Sequence, residues 1–227
     1  MLAGIIFDFD GVIVDSHPVH LQAWKTLFSS MNKEVRDDEL SFVLEGAKRE
    51  EILRHFLGDL SQEQIKSCGA EKERLFRARA GELRMVCGID QFLAQVEAAG
   101  LPIALATSGS RARVEYTLER FDLRGRFCAI VTGDDVPKGK PDPAIFHLAA
   151  RGMQIDAESI LVCEDAVSGV VAAKAAGMKC LAIAANGRRA KLQDAGADLV
   201  IENFAKTKLN AVRELFTRHD LSATDAH

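Results

Sequence analysis

The apolar positions of this chain change their spacing twice. Residues 3–10 (AGIIFDFD) form a short apolar run with β-branched and aromatic members, followed by Gly11. A run of that length closed by a turn residue predicts a buried strand. From about His17 to Arg84 the pattern differs: Glu, Lys, Arg, Leu and Gln dominate. Apolar residues there recur near every 3.6 positions, as in Leu40, Val43 and Leu44, then Ile52, Leu53 and Phe56. That period predicts several helices and no strand. Beyond Gly88, short apolar runs alternate with helical patterns. Strands are expected at 102–107, 129–132, 160–163, 180–184 and 199–201, and helices at 89–99, 111–120, from Pro143 onward, and at 167–176.

Continuously apolar strands separated by helices predict a parallel sheet covered on both faces. Connections within such α/β units are usually a few residues long. The helical block after the first strand is therefore an insertion. The expected architecture is α/β: a Rossmann-like parallel sheet core with an inserted all-helical cap domain. Residues 1–15 and 84–216 would form the core and 16–83 the cap. Residues 217–227 would form a C-terminal tail, whose last segment, SATDAH, should fray. Ligands of open parallel sheets bind beyond the carboxyl ends of the strands. An insertion leaving from that edge would lie over the site as a lid.

Composition narrows the function classes. Of 227 residues 48% are hydrophobic, enough for a packed core, and 29 Lys+Arg against 33 Asp+Glu give a net charge of −4. The basic excess of a nucleic-acid binder is absent. No apolar run approaches the roughly 20 residues that cross a bilayer, so no membrane partner is expected. The opening MLAGIIFDFD lacks the charged start of a signal peptide. The five cysteines (Cys68, Cys87, Cys128, Cys163 and Cys180) are scattered, with no C-x-x-C pair. This argues against a zinc ribbon or a disulfide framework and for a cytoplasmic protein. A monomer or weak homo-oligomer is expected.

The polar residues that close the expected strands carry the chemistry. The first strand ends Phe7-Asp8-Phe9-Asp10-Gly11. Residues two apart on a strand share a face, so Asp8 and Asp10 point together. They serve either a bound cation or a capped, solvated turn. The second ends Thr107-Ser108-Gly109-Ser110 before a helix, which suits an anion site or an ordinary N-cap. In Gly139-Lys140-Pro141-Asp142-Pro143 the prolines restrain Lys140, and Asp142 and Pro143 suit a helix start. The strand at 160–163 is followed by Glu164-Asp165. Carboxylates from two strand ends suit Mg²⁺, which takes oxygen ligands. Four such ends in one chain are far more informative together than singly.

This ordered set, DFDGVIVDS, TSGS, GKPDP and EDAVSG, resembles the haloacid dehalogenase superfamily of phosphohydrolases over nearly the whole chain. It is most similar to the branch with a helical cap after the first motif, which includes β-phosphoglucomutase and many small-metabolite phosphatases. The resemblance implies that Asp8 is the nucleophile accepting the phosphoryl group and Asp10 the general acid/base. Thr107, the backbone around Ser108, and Lys140 would hold phosphate oxygens. Mg²⁺ would sit between Asp8, the Asp10 carbonyl and Asp165, with Glu164 close by. The implied substrate is a small phosphorylated metabolite.

Substrate choice would then lie in the cap. His20 and Trp24 are one helical turn apart. With Gly46 and Arg49 they match positions used in β-phosphoglucomutases for hinge, proton shuttling and sugar-phosphate contact. Lys72 with Phe76 matches a further cap pattern. Arg49 reads equally as a ligand for a second phosphate or carboxylate and as a solvated partner of Glu45 or Glu50. The mutases of this branch carry Lys before the cap glycine, where this chain has Glu45, and Cys87-Gly88 replaces a frequent Pro-Gly. A Mg²⁺-dependent phosphatase is therefore expected ahead of an isomerase built on the same core. A signalling receiver fails on motif order, and a P-loop NTPase on the missing G-x-x-x-x-G-K-[ST].

Overall fold

The computed structural model describes residues 1–44 and 46–217. The expectations for Glu45 and for the tail from 218 onward lie outside them. The chain opens with β1 (Gly4–Phe7) and β2 (Val14–Asp15), then the cap helices α1 (His17–Ser30), α2 (Arg49–Leu57) and α3 (Gln62–Ala78). After β3 (Arg84–Met85) come α4 (Ile89–Ala98), β4 (Ile103–Ala106), α5 (Arg111–Arg120), β5 (Ala129–Val131) and α6 (Ala144–Met153). β6 (Ile160–Glu164), α7 (Val167–Ala175), β7 (Lys179–Ile183), α8 (Arg189–Asp194), β8 (Leu199–Ile201) and α9 (Leu209–Arg213) complete the order.

Six parallel strands form the main sheet in the order β5-β4-β1-β6-β7-β8. β1 is central and buried on both faces: Ile5 and Phe7 enter one apolar cluster, Ile6 the other. Its neighbours on either side lead away in opposite directions. The crevice above its carboxyl end is thus a topological switch point. The helical block between β1 and β4 has its own apolar cluster, with Trp24, Leu27, Phe28, Leu53 and Phe56 at its centre. The fold is therefore the expected parallel core with an inserted helical cap.

Local chemistry explains the cap helices. α3 starts with a capping box: Ser61 Oγ accepts from Gln64 N, and Gln64 Oε1 accepts from Ser61 N. α1 has a proline in its first turn, but Ser16 at its N-cap makes no capping bond. Its hydroxyl is used elsewhere, as described below.

Three features differ from the expectation. No strand was expected from about His17 to Arg84 and none at residues 14–15, yet β2 and β3 pair antiparallel, Val14 opposite Met85 and Asp15 opposite Arg84. The two segments joining core and cap run side by side there, and two residues are too few to show a period. Glu39–Leu44 is 3₁₀ rather than α-helical. The short helices α8 and α9 had no pattern to mark them. At the junction Gly88 has φ of 80°, and a Cβ there would overlap the Ala205 backbone, so only glycine fits. All five cysteines are free. Among the described residues no helix is long and apolar enough to cross a membrane.

Candidate active site

Asp8 directly follows β1, with its backbone N–H donated to Cys163 O of the neighbouring β6 (2.9 Å). This pairing holds the ends of two central strands together, and with them Asp8, Glu164 and Asp165, all buried. Lys140 reaches the same point from the loop before α6. Its buried ammonium donates to Asp8 Oδ1 (2.6 Å), Glu164 Oε1 (2.5 Å) and Ala106 O (3.2 Å). All three of its donors are thereby used. The loop is anchored as anticipated, with Asp142 Oδ1 accepting from Ala144 N (3.0 Å) at the start of α6. Glu164 is held on its other side, where Oε2 accepts from the backbone N–H groups of Asp165 (2.8 Å) and Ala166 (2.9 Å). α7 approaches closely because residue 169 is glycine; a Cβ would overlap the Glu164 carboxylate.

Each of Asp8, Glu164 and Asp165 offers an oxygen within 4.8 Å of the others. Crowding so many carboxylates out of water is unfavourable. Burial raises the Asp8 carboxyl to about 7, with Lys140 opposing and Glu164 and Asp10 adding to the rise. Burial, then the charges of Glu164 and Asp8, push Asp165 well above the usual carboxylate range. Burial works against the charge of Lys140, but Asp8 and Glu164 hold its pKa above the ordinary lysine value. An all-oxygen, acid-rich donor set of this kind fits a hard divalent cation. His17 Nε2, 3.2 Å from Asp165 Oδ2, borders the set.

The Asp10 side chain does not join this cluster, although spacing by two along a strand predicted that Asp8 and Asp10 point together; β1 ends at Phe7, before either of them. Its carboxylate is turned toward the cap and fully engaged there. Oδ1 accepts from Ser16 Oγ (2.6 Å), His20 Nε2 (3.2 Å) and Arg113 Nη1 (2.9 Å), while Oδ2 accepts from Arg113 Nη2 (2.7 Å). Burial alone would raise the Asp10 carboxyl; the Arg113 guanidinium and His20 outweigh it and hold it well below the usual range. Any metal contact from Asp10 is thus left to its main-chain carbonyl.

The cap continues the chain of polar contacts. Lys72 Nζ lies 2.7 Å from His20 Nδ1 and over the rings of Phe76 (5.0 Å) and Trp24 (5.4 Å). Burial and then the Lys72 charge pull His20 down to about 3, and burial with the Arg113 charge pulls Lys72 down to about 7. The His20 ring is therefore neutral, with Nδ1 accepting from Lys72 and Nε2–H donated to Asp10.

A cavity of about 410 Å³ lies between these two groups, lined by core and cap residues alike. Thr107 and Ser108 face it beyond β4. Thr107 Oγ1 accepts from Gly109 N (3.1 Å), whereas the Ser108 hydroxyl is committed to Gly46 O of the cap (2.9 Å). Lys48 makes a second cap–core bond, from Nζ to Val136 O (2.6 Å). Gly46, Arg49, Trp24, His20 and Lys72 all line the cavity. Trp24 also stacks on Phe28 in the cap cluster. The suggested Arg49–Glu50 pair does not form, since Glu50 binds Arg54; the Arg49 guanidinium instead lies against Gly69.

The structure thus gathers every anticipated site residue around one cavity. Ser16, His17 and Arg113 were not anticipated. Arg113 alone left a trace in the sequence, because it shares a helical face with Val114, Thr117 and Leu118.

Comparison with known proteins agrees with the geometry. A family model described as haloacid dehalogenase-like hydrolase matches residues 5–183. The chain is 33% identical over 182 residues (78% of this chain, 83% of the other) to a phosphorylated carbohydrates phosphatase of Thermotoga maritima. It is 31% identical over 223 residues (94% and 95%) to a β-phosphoglucomutase of Bacillus subtilis. The crystal structure of β-phosphoglucomutase from Clostridium difficile superposes with a TM-score of 0.86 at 23% identity, covering 97% of this chain and all of that one, a likeness of fold.

Proposed function

The chain belongs to the haloacid dehalogenase-like hydrolase family, whose members matched here include phosphatases, and on that premise we propose a phosphatase of small phosphorylated metabolites, sugar phosphates among them, that works through an aspartyl-phosphate on Asp8. The observation that carries this reading is Asp8 itself. It is a buried carboxylate at the carboxyl end of the central strand, gripped by Lys140, beside Glu164 and Asp165, and facing a cavity under a helical cap. Residues 1–15 and 84–216 act as the catalytic core and 16–83 as the substrate-selecting cap.

An Asp8 carboxylate oxygen attacks the ester phosphorus. The Asp8 O–P bond forms as the P–O bond to the leaving alcohol breaks, and that oxygen takes a proton from Asp10, whose proton affinity the incoming anionic phosphate raises against the pull of Arg113 and His20. A water then gives a proton to Asp10 while its oxygen attacks phosphorus. The bond to Asp8 breaks, inorganic phosphate leaves, Asp8 is again a carboxylate and Asp10 again holds the proton it gave up. Lys140 offsets charge repulsion between Asp8 and the incoming phosphate, and Thr107 with the main chain at Ser108 holds phosphate oxygens. Asp8, Asp165 and the Asp10 carbonyl, with Glu164 alongside, would hold Mg²⁺, which supplies positive charge against the transferring phosphoryl group. His20, Trp24, Gly46, Arg49 and Lys72 of the cap face the leaving group, and the cap keeps bulk water from the aspartyl-phosphate.

The test is phosphate release from a panel of sugar and polyol phosphates with Mg²⁺, repeated with Asp8→Asn. Turnover should vanish in the variant while its melting curve stays that of a folded protein. Substantial residual turnover refutes the nucleophile. The second reading, an isomerase passing through a bisphosphate, is favoured by the cations Arg49 and Lys72 on the cap side of the cavity. It is supported also by the likeness to a protein named β-phosphoglucomutase. β-Glucose 1-phosphate with a bisphosphate activator separates the two. Glucose 6-phosphate forming faster than free phosphate would reverse the ranking.

A further inference from the structure

Asp10 is surrounded by donors of two origins. Ser16 and His20 approach from the start of the cap, and both bind Oδ1. Arg113 approaches from α5 of the core and binds both oxygens. A single oxygen held from one side leaves a carboxylate free to rotate about its Cβ–Cγ bond. A two-bond guanidinium fork fixes its plane as well.

The surroundings of Arg113 are built for this contact. The residue is 4% exposed, although it is an arginine on a helix otherwise bearing exposed charges. Its guanidinium lies 5.3 Å from the Phe76 ring of the cap, and the same ring packs against His20, with centroids 4.6 Å apart. Phe76 therefore covers both the Arg113 guanidinium and the neutral His20 ring that grip Asp10. The path of the guanidinium is cleared at Gly109, where a Cβ would overlap Nη2. Gly109 does not have a positive φ, so it is the clearance for Arg113, and not the backbone, that requires glycine there. Burying a guanidinium is tolerated only with a partner as well matched as the Asp10 carboxylate.

We propose that Arg113 is a positioning residue for Asp10. It fixes the plane of the carboxylate from the core side, while His20 and Phe76 close over the same groups from the cap. The proton-transferring oxygen of Asp10 is thereby held in one orientation beside the cavity where the leaving group would lie. The inference rests on the reading of Asp10 as the group that protonates the leaving oxygen.

The experiment compares two substrates. A hexose 6-phosphate leaves as an alkoxide that needs a proton, whereas acetyl phosphate leaves as acetate, which does not. The ratio kcat/KM reports the steps through departure of the leaving group. Asp10→Asn serves as the reference and should lose far more on the sugar phosphate than on acetyl phosphate. General acid catalysis contributes about 10²–10⁴-fold. Arg113→Ala should show the same skew, at least about tenfold, chiefly in kcat. Added guanidinium ion should restore part of it. Gly109→Ala should reproduce the skew with Arg113 still present, and Arg113→Lys should fall between. Should Arg113→Ala fail to fold, the last two variants carry the comparison. Equal losses on both substrates, or a rise in KM with kcat unchanged, overturn the proposal. A skew in Asp10→Asn without one in the Arg113 and Gly109 variants overturns the positioning role alone. No skew in Asp10→Asn overturns the assignment of Asp10 on which it stands.

Discussion

Lys72 offers a test in which stability and activity should move in opposite directions. Its ammonium is buried in the cap and meets a neutral ring nitrogen of His20 and the faces of Trp24 and Phe76. Burial, with the Arg113 charge adding to it, lowers its pKa from 10.5 to about 7. At about 1.4 kcal/mol per pH unit, the charged form disfavours the folded state by a ceiling of about 5 kcal/mol. Between pH 7 and 10.5 the unfolded chain keeps the proton that the folded one has released, so stability rises with pH across that window. The penalty is full below pH 7 and gone above about 10.5. Lys72→Met keeps most of the stem and removes the charge. Losing the His20 hydrogen bond and the ring contacts offsets about 1–3 kcal/mol. A net gain of about 2 kcal/mol at pH 6 is expected, in line with other buried charges replaced by apolar residues. For a chain of this length that raises Tm by about 4–8 °C. Urea denaturation of both proteins at pH 6 and pH 9 measures it, and the advantage should shrink at the higher pH. Sugar-phosphate turnover should fall in the same variant. A variant less stable than the parent at pH 6, or an advantage that widens with pH, would refute the reasoning.

Two further outcomes follow from the floor of the site. With Asp8 raised to about 7 and Asp165 well above its usual range, protons compete with a cation for the carboxylates. Mg²⁺ at about 100 times its Kd should stabilise the protein by about 2.7 kcal/mol above pH 7.5, or about 5–11 °C in Tm. The shift should dwindle as pH falls below 7, because the folded metal-free form then holds protons that must be displaced. Melting curves with Mg²⁺ against EDTA at pH 5 and 8 check this, and equal shifts would contradict it. Gly169→Ala places a methyl group on the Glu164 carboxylate, which must move away from Lys140 and two backbone donors. A loss of about 2–4 kcal/mol is expected from chemical denaturation, and a neutral result would show that α7 can shift.

The core half of the site was legible because each of its residues ends a strand or follows one closely. Asp8, Thr107, Glu164 and Asp165 are brought to one edge by strands whose apolar runs are unmistakable, and Lys140 by a loop between prolines. Short βα connections leave such residues little choice of place. The Asp10 half was not legible. Its partners lie 6, 10 and 103 positions away, on a linker, a cap helix and a core helix. No local period relates them; only the docking of cap on core does. Hence Asp8 and Asp10 were expected to point together, and the structure turns the Asp10 carboxylate the other way. Arg113 shows the same limit. A polar residue on an apolar helical stripe announces that something will pair with it but does not name the partner. β2 and β3 were invisible for a simpler reason, since two residues cannot express an alternation.

The two halves also face each other with opposite needs, and this bears on how the enzyme works. The floor holds Asp8, Glu164 and Asp165 against Lys140, so negative charge is in excess there. Toward the cap, Arg49, Lys72 and Arg113 stand against Asp10, so positive charge is in excess. The two excesses lie on opposite sides of the cavity, and the groups of each are desolvated by burial. A phosphate ester with a divalent cation matches the gap in the right order: cation to the floor, anionic substrate beneath the cap. On that reading the charges crowded on each side are those that a phosphate ester and its cation would offset. The same separation keeps Lys140 on Asp8 and Arg113 on Asp10, so that two carboxylates only two residues apart stand in opposite environments.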